Sequence, residues 1–463
     1  MRHPRLPLVA LFVFSCNGAG APPGESPPVI TPELTIEELM NPESCVECHA
    51  THYEEWAGSM HAYSSLDPVF RAINKKGQEE TDGALGDFCV RCHAPVAVAL
   101  GLTEDGLNLD EVPSWAQGVT CYFCHSVESV EGEHNNPLVL ATDGVIRGAY
   151  ADPVANKGHD SAYSALVDGD ALESANLCGP CHDIVTPAPH RVHLERTFGE
   201  WKDSLFSKLD GGDMQTCANC HMDARDDVAA EAPGVFLREV HDHRMVGVDV
   251  ALTDFPDMEA QLQGIQKDLN TTVLANLCVT SFGAQHFLAV RLENMGAGHS
   301  WPSGASHDRR AWVEVIAYDA EDNILYQTGA VDEGVALADL DDPDLWALYD
   351  RAYDAQGEPT HLFWEVASIE SELLPAPPTS DITDPHFIDI HRTREFNYAG
   401  EAPARVTLRV RIRAMPLDLL NELVDEGYLA PDIPAAMPTF TLTLTVLEWT
   451  PNLEGDCVLP VHL

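Results

Sequence analysis

Apolar and polar positions along this chain fall into two textures, and the change comes near Thr271. Beyond it, "TTVLANLCVTSF", "QHFLAVRLENM", "RAWVEVIAYDA", "NILYQTGAV", "ARVTLRVRIRAM" and "TFTLTLTVLEW" alternate or run apolar, with polar turns such as "DAEDN" between several of them. Short β-branched runs separated by turn signals predict an antiparallel β-sandwich over 266–463. In "VTLRVRIR" the residues Val, Leu, Val and Ile share one face and Thr with three Arg share the other, so one face is expected buried and the other wet. A helical period returns in "PLDLLNELVDEGYL" (416–429), where Pro opens the first turn and Gly closes the last. A second short helix is expected at 342–352.

Upstream, over 37–265, no such periodicity runs for long, and short helices joined by long loops are expected. The apolar stretch Leu6–Phe14 follows Arg2 and Arg5 and precedes small residues, as in a secretory signal over 1–16. "VFSC" there resembles a bacterial lipobox, which makes Cys16 the lipidated first residue of the mature chain. Phe14 is unusual in such a box, so ordinary signal cleavage nearby is the alternative. Residues 17–36 read as a Pro/Gly-rich tether. No further apolar run is long enough to span a bilayer, so any membrane attachment rests on the N-terminal lipid alone. The whole is an α+β chain of two domains, which suits its 463 residues.

The formal charge is −48. Such a field excludes nucleic acid and anionic lipid surfaces as partners and suits a basic protein partner, or plain solubility. The thirteen cysteines are unevenly spread: ten form five C-x-x-C pairs, each followed directly by histidine. They are "CVECH" (Cys45, Cys48, His49), "CVRCH" (Cys89, Cys92, His93), "CYFCH" (Cys121, Cys124, His125), "CGPCH" (Cys178, Cys181, His182) and "CANCH" (Cys217, Cys220, His221). C-x-x-C-H is the attachment signature of c-type haem. Two thiols about one helical turn apart add to the two vinyl groups on one porphyrin edge, and the next residue offers its imidazole to the iron as proximal ligand. Zinc ribbons have no use for a histidine after every pair. Thioredoxin-type pairs need a βαβ pattern that is missing here, and a disulfide framework would not repeat the histidine. Five haem c groups within 45–221 leave little protein per haem, so macrocycles supply much of the core of this multihaem cytochrome c domain.

The sixth ligand of each iron sets its potential and its reactivity. Of 21 histidines one lies in the leader and five are proximal, which leaves fifteen. His61 in "EEWAGSMHAYSSLDPVF" ranks first, one helix length beyond the first motif, and a surface helix histidine is the plainer alternative. His159 in "NKGHDSAYSAL" follows, then His243 or its neighbour His241 in "VHDHRMVGVDVAL". His134 ("GEHNNP") and His193 or His190 ("PHRVHLERTFGEW") rank lower, as loop histidines. Met60, Met222 and Met245 are alternatives that would raise a potential, or are simply packing.

An internal echo runs through this half. "YEEWAGS" and "FGEWKDS" share aromatic-x-Glu-Trp-x-x-Ser, and "GVTCYFCH" and "MQTCANCH" share Thr before the first Cys. With "CVRCHAP", "NLCGPCHDIVTP" and "TCANCHMD", these pieces resemble multihaem cytochromes of the cytochrome c554 type over roughly residues 40–250. The resemblance implies that fold and an electron-transfer role. It implies distal ligation for His61, in its Ser-x-His-Ala segment, to another haem of the chain. The namesake carries four haems and lacks the long C-terminal part. Residues 270–450 resemble the C-terminal part of a bacterial multihaem cytochrome group with a "GH-x-x-PTG … RR-x-W" stretch, here "GHSWPSG" and "RRAW" with Ser303 for Thr.

That stretch lies in "GAGHSWPSGASHDRRAWVEV" (296–315), a turn between two strand-like runs. His299 there could reach across the domain interface and complete a fourth or fifth coordination sphere. Otherwise it is a rigid turn in which His and Asp308 cap strands and Arg309 or Arg310 pairs with a propionate or a carboxylate. Cys278 and Cys457, near the first and last strands, are expected to form a disulfide. The reading overall is an exported protein, periplasmic or at the outer cell surface, that passes electrons between redox protein partners through mostly bis-histidine haems. The rival reading is an oxidoreductase for a small nitrogen, sulfur or oxygen compound at one haem without a protein sixth ligand. No C-x-x-C-K variant, as found in five-haem nitrite reductases, occurs.

Overall fold

The computed structural model describes residues 32–208, 214–379, 381, 383–388, 390–453 and 455–460. Cys16 and most of the tether lie outside them. No helix among the described residues is long and apolar enough to cross a membrane.

The first half is built of short pieces. Each C-x-x-C-H motif sits on a helical turn: helix α1 (Val46–Ala57), then Val90–His93, Cys121–Ser126, the 3-10 turn Gly179–Cys181, and Cys217–His221. The threonines of the echo start two of these turns. Thr120 accepts from the backbone N–H of Phe123, and Thr216 from that of Asn219, supplying the side-chain oxygen that a helix N-terminus lacks. The longest early helix, α2 (Pro68–Glu80), opens with Asp67 as its cap and Pro68 in its first turn.

The expectation of helices and loops alone needs correction. Four two-stranded ribbons also cross this half, including Ile184–Val185 with His193–Glu195 and Ala224–Asp227 with Arg238–His241. Their strands are two to four residues long, too short for an alternating pattern to register.

Helix α3 (Met258–Thr272) runs directly into the first long strand, so the boundary expected at 265/266 falls inside a helix. Strands β1 (Val273–Phe282), β2 (Gln285–Asn294) and β4 (His391–Ala399) form one antiparallel sheet with Cys457–Val458 at its edge. Strands β3 (Arg310–Tyr318) and β5 (Arg405–Arg413) centre a second antiparallel sheet of six strands. Alternate residues of both sheets, such as Leu277, Leu288, Val313 and Val410, meet in one core. Val69 and Ala72 of α2 and Ile265 and Leu269 of α3 belong to that same core, which ties the two halves together.

Two details depart from the sequence reading. The polar face of "VTLRVRIR" is wet only in its first half: the Arg409 side chain is 44% exposed, whereas Arg411 and Arg413 are buried under the segment 331–337. There Arg411 donates to the carbonyl of Val331 at 2.7 Å, and both guanidiniums lie over the Trp312 ring. The helix expected at 342–352 is instead the strands Trp346–Leu348 and Asp350–Tyr353. The other insertion is α4 (Leu417–Asp425), with Pro416 at its N-cap and Gly427 beyond its end at φ +82°. Cys278 and Cys457 are disulfide-bonded, opposite each other in the ladder.

Candidate haem-binding cavity

All ten motif thiols and all five motif histidines line a single cavity of about 2110 Å³ in the first half, closed on one side by the second. Trp301, Ser303, Asp308 and Arg309 contribute that wall. The residues fit covalently attached haem: thiols in pairs, an imidazole beside each pair, and an apolar interior large enough for several flat macrocycles.

Four of the five imidazoles are held by one ring nitrogen. Nδ1 of His49 bonds the carbonyl of Ala229 at 2.7 Å, His125 that of Arg147 at 2.6 Å, His93 that of Ser64 at 3.0 Å and His221 that of Val246 at 2.6 Å. A histidine that uses Nδ1 in this way keeps Nε2 for a metal, with its orientation fixed. Burial holds the imidazoles of His49, His93, His125 and His182 below the usual histidine range, so they stay neutral and ligand-competent.

Four further histidines face motif histidines. The rings of His159 and His49 are 6.3 Å apart, centroid to centroid, with planes at 20°. His243 lies 6.3 Å from His125 at 16°, His61 lies 6.1 Å from His182 at 72°, and His299 lies 6.4 Å from His221 at 8°. Their Nδ1 atoms are occupied too: His159 by the carbonyl of Asp160, His243 by that of His241, His61 by the sulfur of Met245 and His299 by the carbonyl of Ser300. Burial pushes His61 and His243 down to about 3 and His299 down to about 4. His93 differs. Its ring stacks on Phe70 at 4.0 Å and 4°, and no imidazole faces it among the described residues.

The remaining candidates go elsewhere. His241 lines the cavity but faces no motif histidine; its Nδ1 bonds the carbonyl of Met222 at 2.8 Å. His134 and His193 lie outside the cavity lining and converge on one oxygen of Asp183, whose other oxygen accepts from the N–H of Gly199. A buried carboxylate with two imidazoles on it makes a hydrogen-bonded brace outside the cavity lining. Met245 packs on His61 and takes no place opposite a motif histidine. Sequence reasoning missed His52, which lines the cavity 4.7 Å from His243 and which burial lowers to about 4. It follows His49 by three residues, and that helical spacing alone accounts for the 6.2 Å between them.

Arg309 forms a two-pronged pair with Asp249 at 2.6 and 2.7 Å, while Arg310 lies over the Tyr349 ring and donates to backbone carbonyls. Asp308 accepts from Nδ1 of His361 at 2.7 Å.

The family model described as "Cytochrome c554 and c-prime" matches residues 44–126, which hold the first three motifs. Among solved structures the chain is similar to a penta-heme cytochrome c552 from Thermochromatium tepidum, with 21% identity over 89% of this chain and 98% of that one and a TM-score of 0.58. At that identity the likeness speaks to the fold, which it covers in both halves. No curated protein matches the sequence.

Proposed function

We propose that this chain, a multihaem c-type cytochrome whose cofactor is haem c with its iron, carries electrons through five haems between redox partners outside the cytoplasm. The observation that carries the reading is the repeated pairing of cavity-lining imidazoles. Two imidazoles on opposite sides of one metal ion, each bonded at about 2 Å, place their ring centres about 6.4 Å apart whatever the rotation of their planes. His49 with His159, His125 with His243 and His182 with His61 meet that spacing at 6.1–6.3 Å. Bis-histidine iron supplies one-electron chemistry and leaves no open position for a substrate.

Contacts between motif thiols give a spatial order of the motifs. Cys45 touches Cys121, Cys124 neighbours Cys178, Cys178 touches Cys217, and Cys181 touches Cys92. This gives a run from the first motif through the third and fourth to the fifth, with the second branching from the fourth. Cys48 and Cys220, at the two ends of that run, are the exposed motif cysteines. Residues 33–55, around the first end, hold seven glutamates and no lysine or arginine, which favours a basic partner there. The leader supports export, with Cys16 as lipid anchor at the periplasmic or outer face, and the paired sheets of the second half read as a β-sandwich.

Low-temperature EPR with pyridine haemochrome quantitation tests the reading: five haems per chain, at least three of them low-spin. A majority of high-spin haems would overturn it. His93 favours a second reading, because no imidazole faces it among the described residues. An oxidoreductase for a small nitrogen, sulfur or oxygen compound would use that haem. Carbon monoxide binding to one haem per reduced chain supports it, and no binding removes it.

A further inference from the structure

We infer that His299, a side chain of the β-sheet half, is the sixth ligand of the haem iron held by Cys217, Cys220 and His221, so that the second half of the chain completes the fifth haem. This rests on the bis-histidine reading of the other three pairs.

The geometry of this pair is the most regular of the four. The rings of His221 and His299 are 6.4 Å apart and within 8° of parallel. Both Nδ1 atoms are taken by carbonyls, those of Val246 at 2.6 Å and Ser300 at 2.8 Å, which leaves both Nε2 atoms for a metal between them. Both rings line the common cavity.

The backbone around His299 is built to hold it there. Strand β2 ends at Asn294, whose side chain donates to the carbonyl of His299 at 2.8 Å and accepts from the N–H of Ala297 at 3.1 Å. Gly296 turns the chain against α3 so closely that a Cβ would lie 2.3 Å from the carbonyl oxygen of Thr271. On the far side, Trp301 pairs with Leu374 through two backbone hydrogen bonds of 2.8 Å. The haem half grips the same turn. Glu200 accepts from the N–H of Ser300 at 3.1 Å, and Thr197 accepts from the N–H of Gly304 at 3.1 Å. Thus the "FGEW" element that precedes the fifth motif also fixes the turn that brings the imidazole to it. A surface turn with no ligand role would not need anchors on both halves.

The test uses the full-length, haem-loaded protein. In His299→Ala, pyridine haemochrome still counts five haems, one haem turns high-spin by EPR, and one additional carbon monoxide binds per reduced chain. Added imidazole restores the low-spin signal. Should alanine disturb the fold, His299→Met keeps a ligand of similar reach and raises the midpoint potential of one haem while leaving the others in place. His159→Ala serves as the control for the underlying reading. If it opens one haem and His299→Ala opens none, this inference falls and the bis-histidine reading stands. If neither variant opens a haem, both fall.

Discussion

The indole N–H of Trp201 donates to the backbone carbonyl of Gln215, 2.9 Å away and two residues before the first cysteine of the fifth motif. Trp56 makes the same bond to Val119, at 2.7 Å and two residues before the third motif. The echo in the sequence is therefore a bracing unit: a short helix ending in Trp-x-x-Ser holds the strand of chain that leads into a Thr-capped attachment turn.

If the brace matters through that bond, Trp201→Phe loses one hydrogen bond, worth about 1–1.5 kcal/mol, on top of the packing of the second ring. Trp56→Phe should cost a similar amount. Denaturant unfolding followed by the haem absorption band measures both. Wild-type stability in the two variants would show that neither indole braces its attachment turn.

What was legible in the sequence follows from what must be contiguous. Haem attachment needs two thiols and an imidazole in one turn, so all five motifs could be read directly, and the β-rich half announced itself by alternation. Sixth ligands are set by folding, so the sequence could rank candidates but not pair them with motifs. His61, His159, His243 and His299 come to face motif histidines, whereas His134 and His193 turn to Asp183. Nothing local marks the difference, because the partner in each case is distant in the chain. Arg411 and Arg413 misled for a related reason: their strand alternates as a surface strand does, but a segment far earlier in the chain covers the end of its polar face.

The two halves are also joined by charge. Lys76 on α2 is 4% exposed and pairs with Glu80 at 3.0 Å, Glu426 at 2.5 Å and Glu422 at 3.8 Å, the last two from around α4. Lys76→Met would leave three carboxylates sharing no cation. Because those carboxylates are partly solvated, the loss should be about 1–2 kcal/mol, smaller than for a fully buried pair. Thermal unfolding at low and high salt checks this, with the deficit shrinking as salt screens the repulsion. A deficit that grows with salt would contradict the assignment.

The disulfide closes a loop with a sequence separation of 179 residues, from β1 to the last strand. Loop-closure entropy then allows up to about 5 kcal/mol of stabilisation. Cys278→Ser paired with Cys457→Ser should lower the unfolding midpoint of the β half while leaving the count of attached haems at five. An unchanged midpoint would mean that the edge strand is held by its backbone ladder and packing instead.

A pH dependence follows from His361, which lies between Asp308, at 2.7 Å from Nδ1, and Asp418, at 3.5 Å from Nε2. Burial pulls the imidazole down, but the two carboxylates overcome it and lift the group to about 9. Asp308 is opposed by burial and held down to about 2 by His307 and His361, so it stays charged across the neutral range. A cation whose folded value lies above its unfolded value of about 6.5 stabilises fully below that value. Its contribution then declines between pH 6.5 and 9. The unfolding midpoint should therefore fall as pH rises through that window. His361→Gln should be less stable by about 1.5–3 kcal/mol at pH 6, the worth of a hydrogen bond to a charged group, and should show a flatter profile up to pH 9. If variant and wild type lose stability in parallel across the window, the dependence comes from other groups and His361 is not its source.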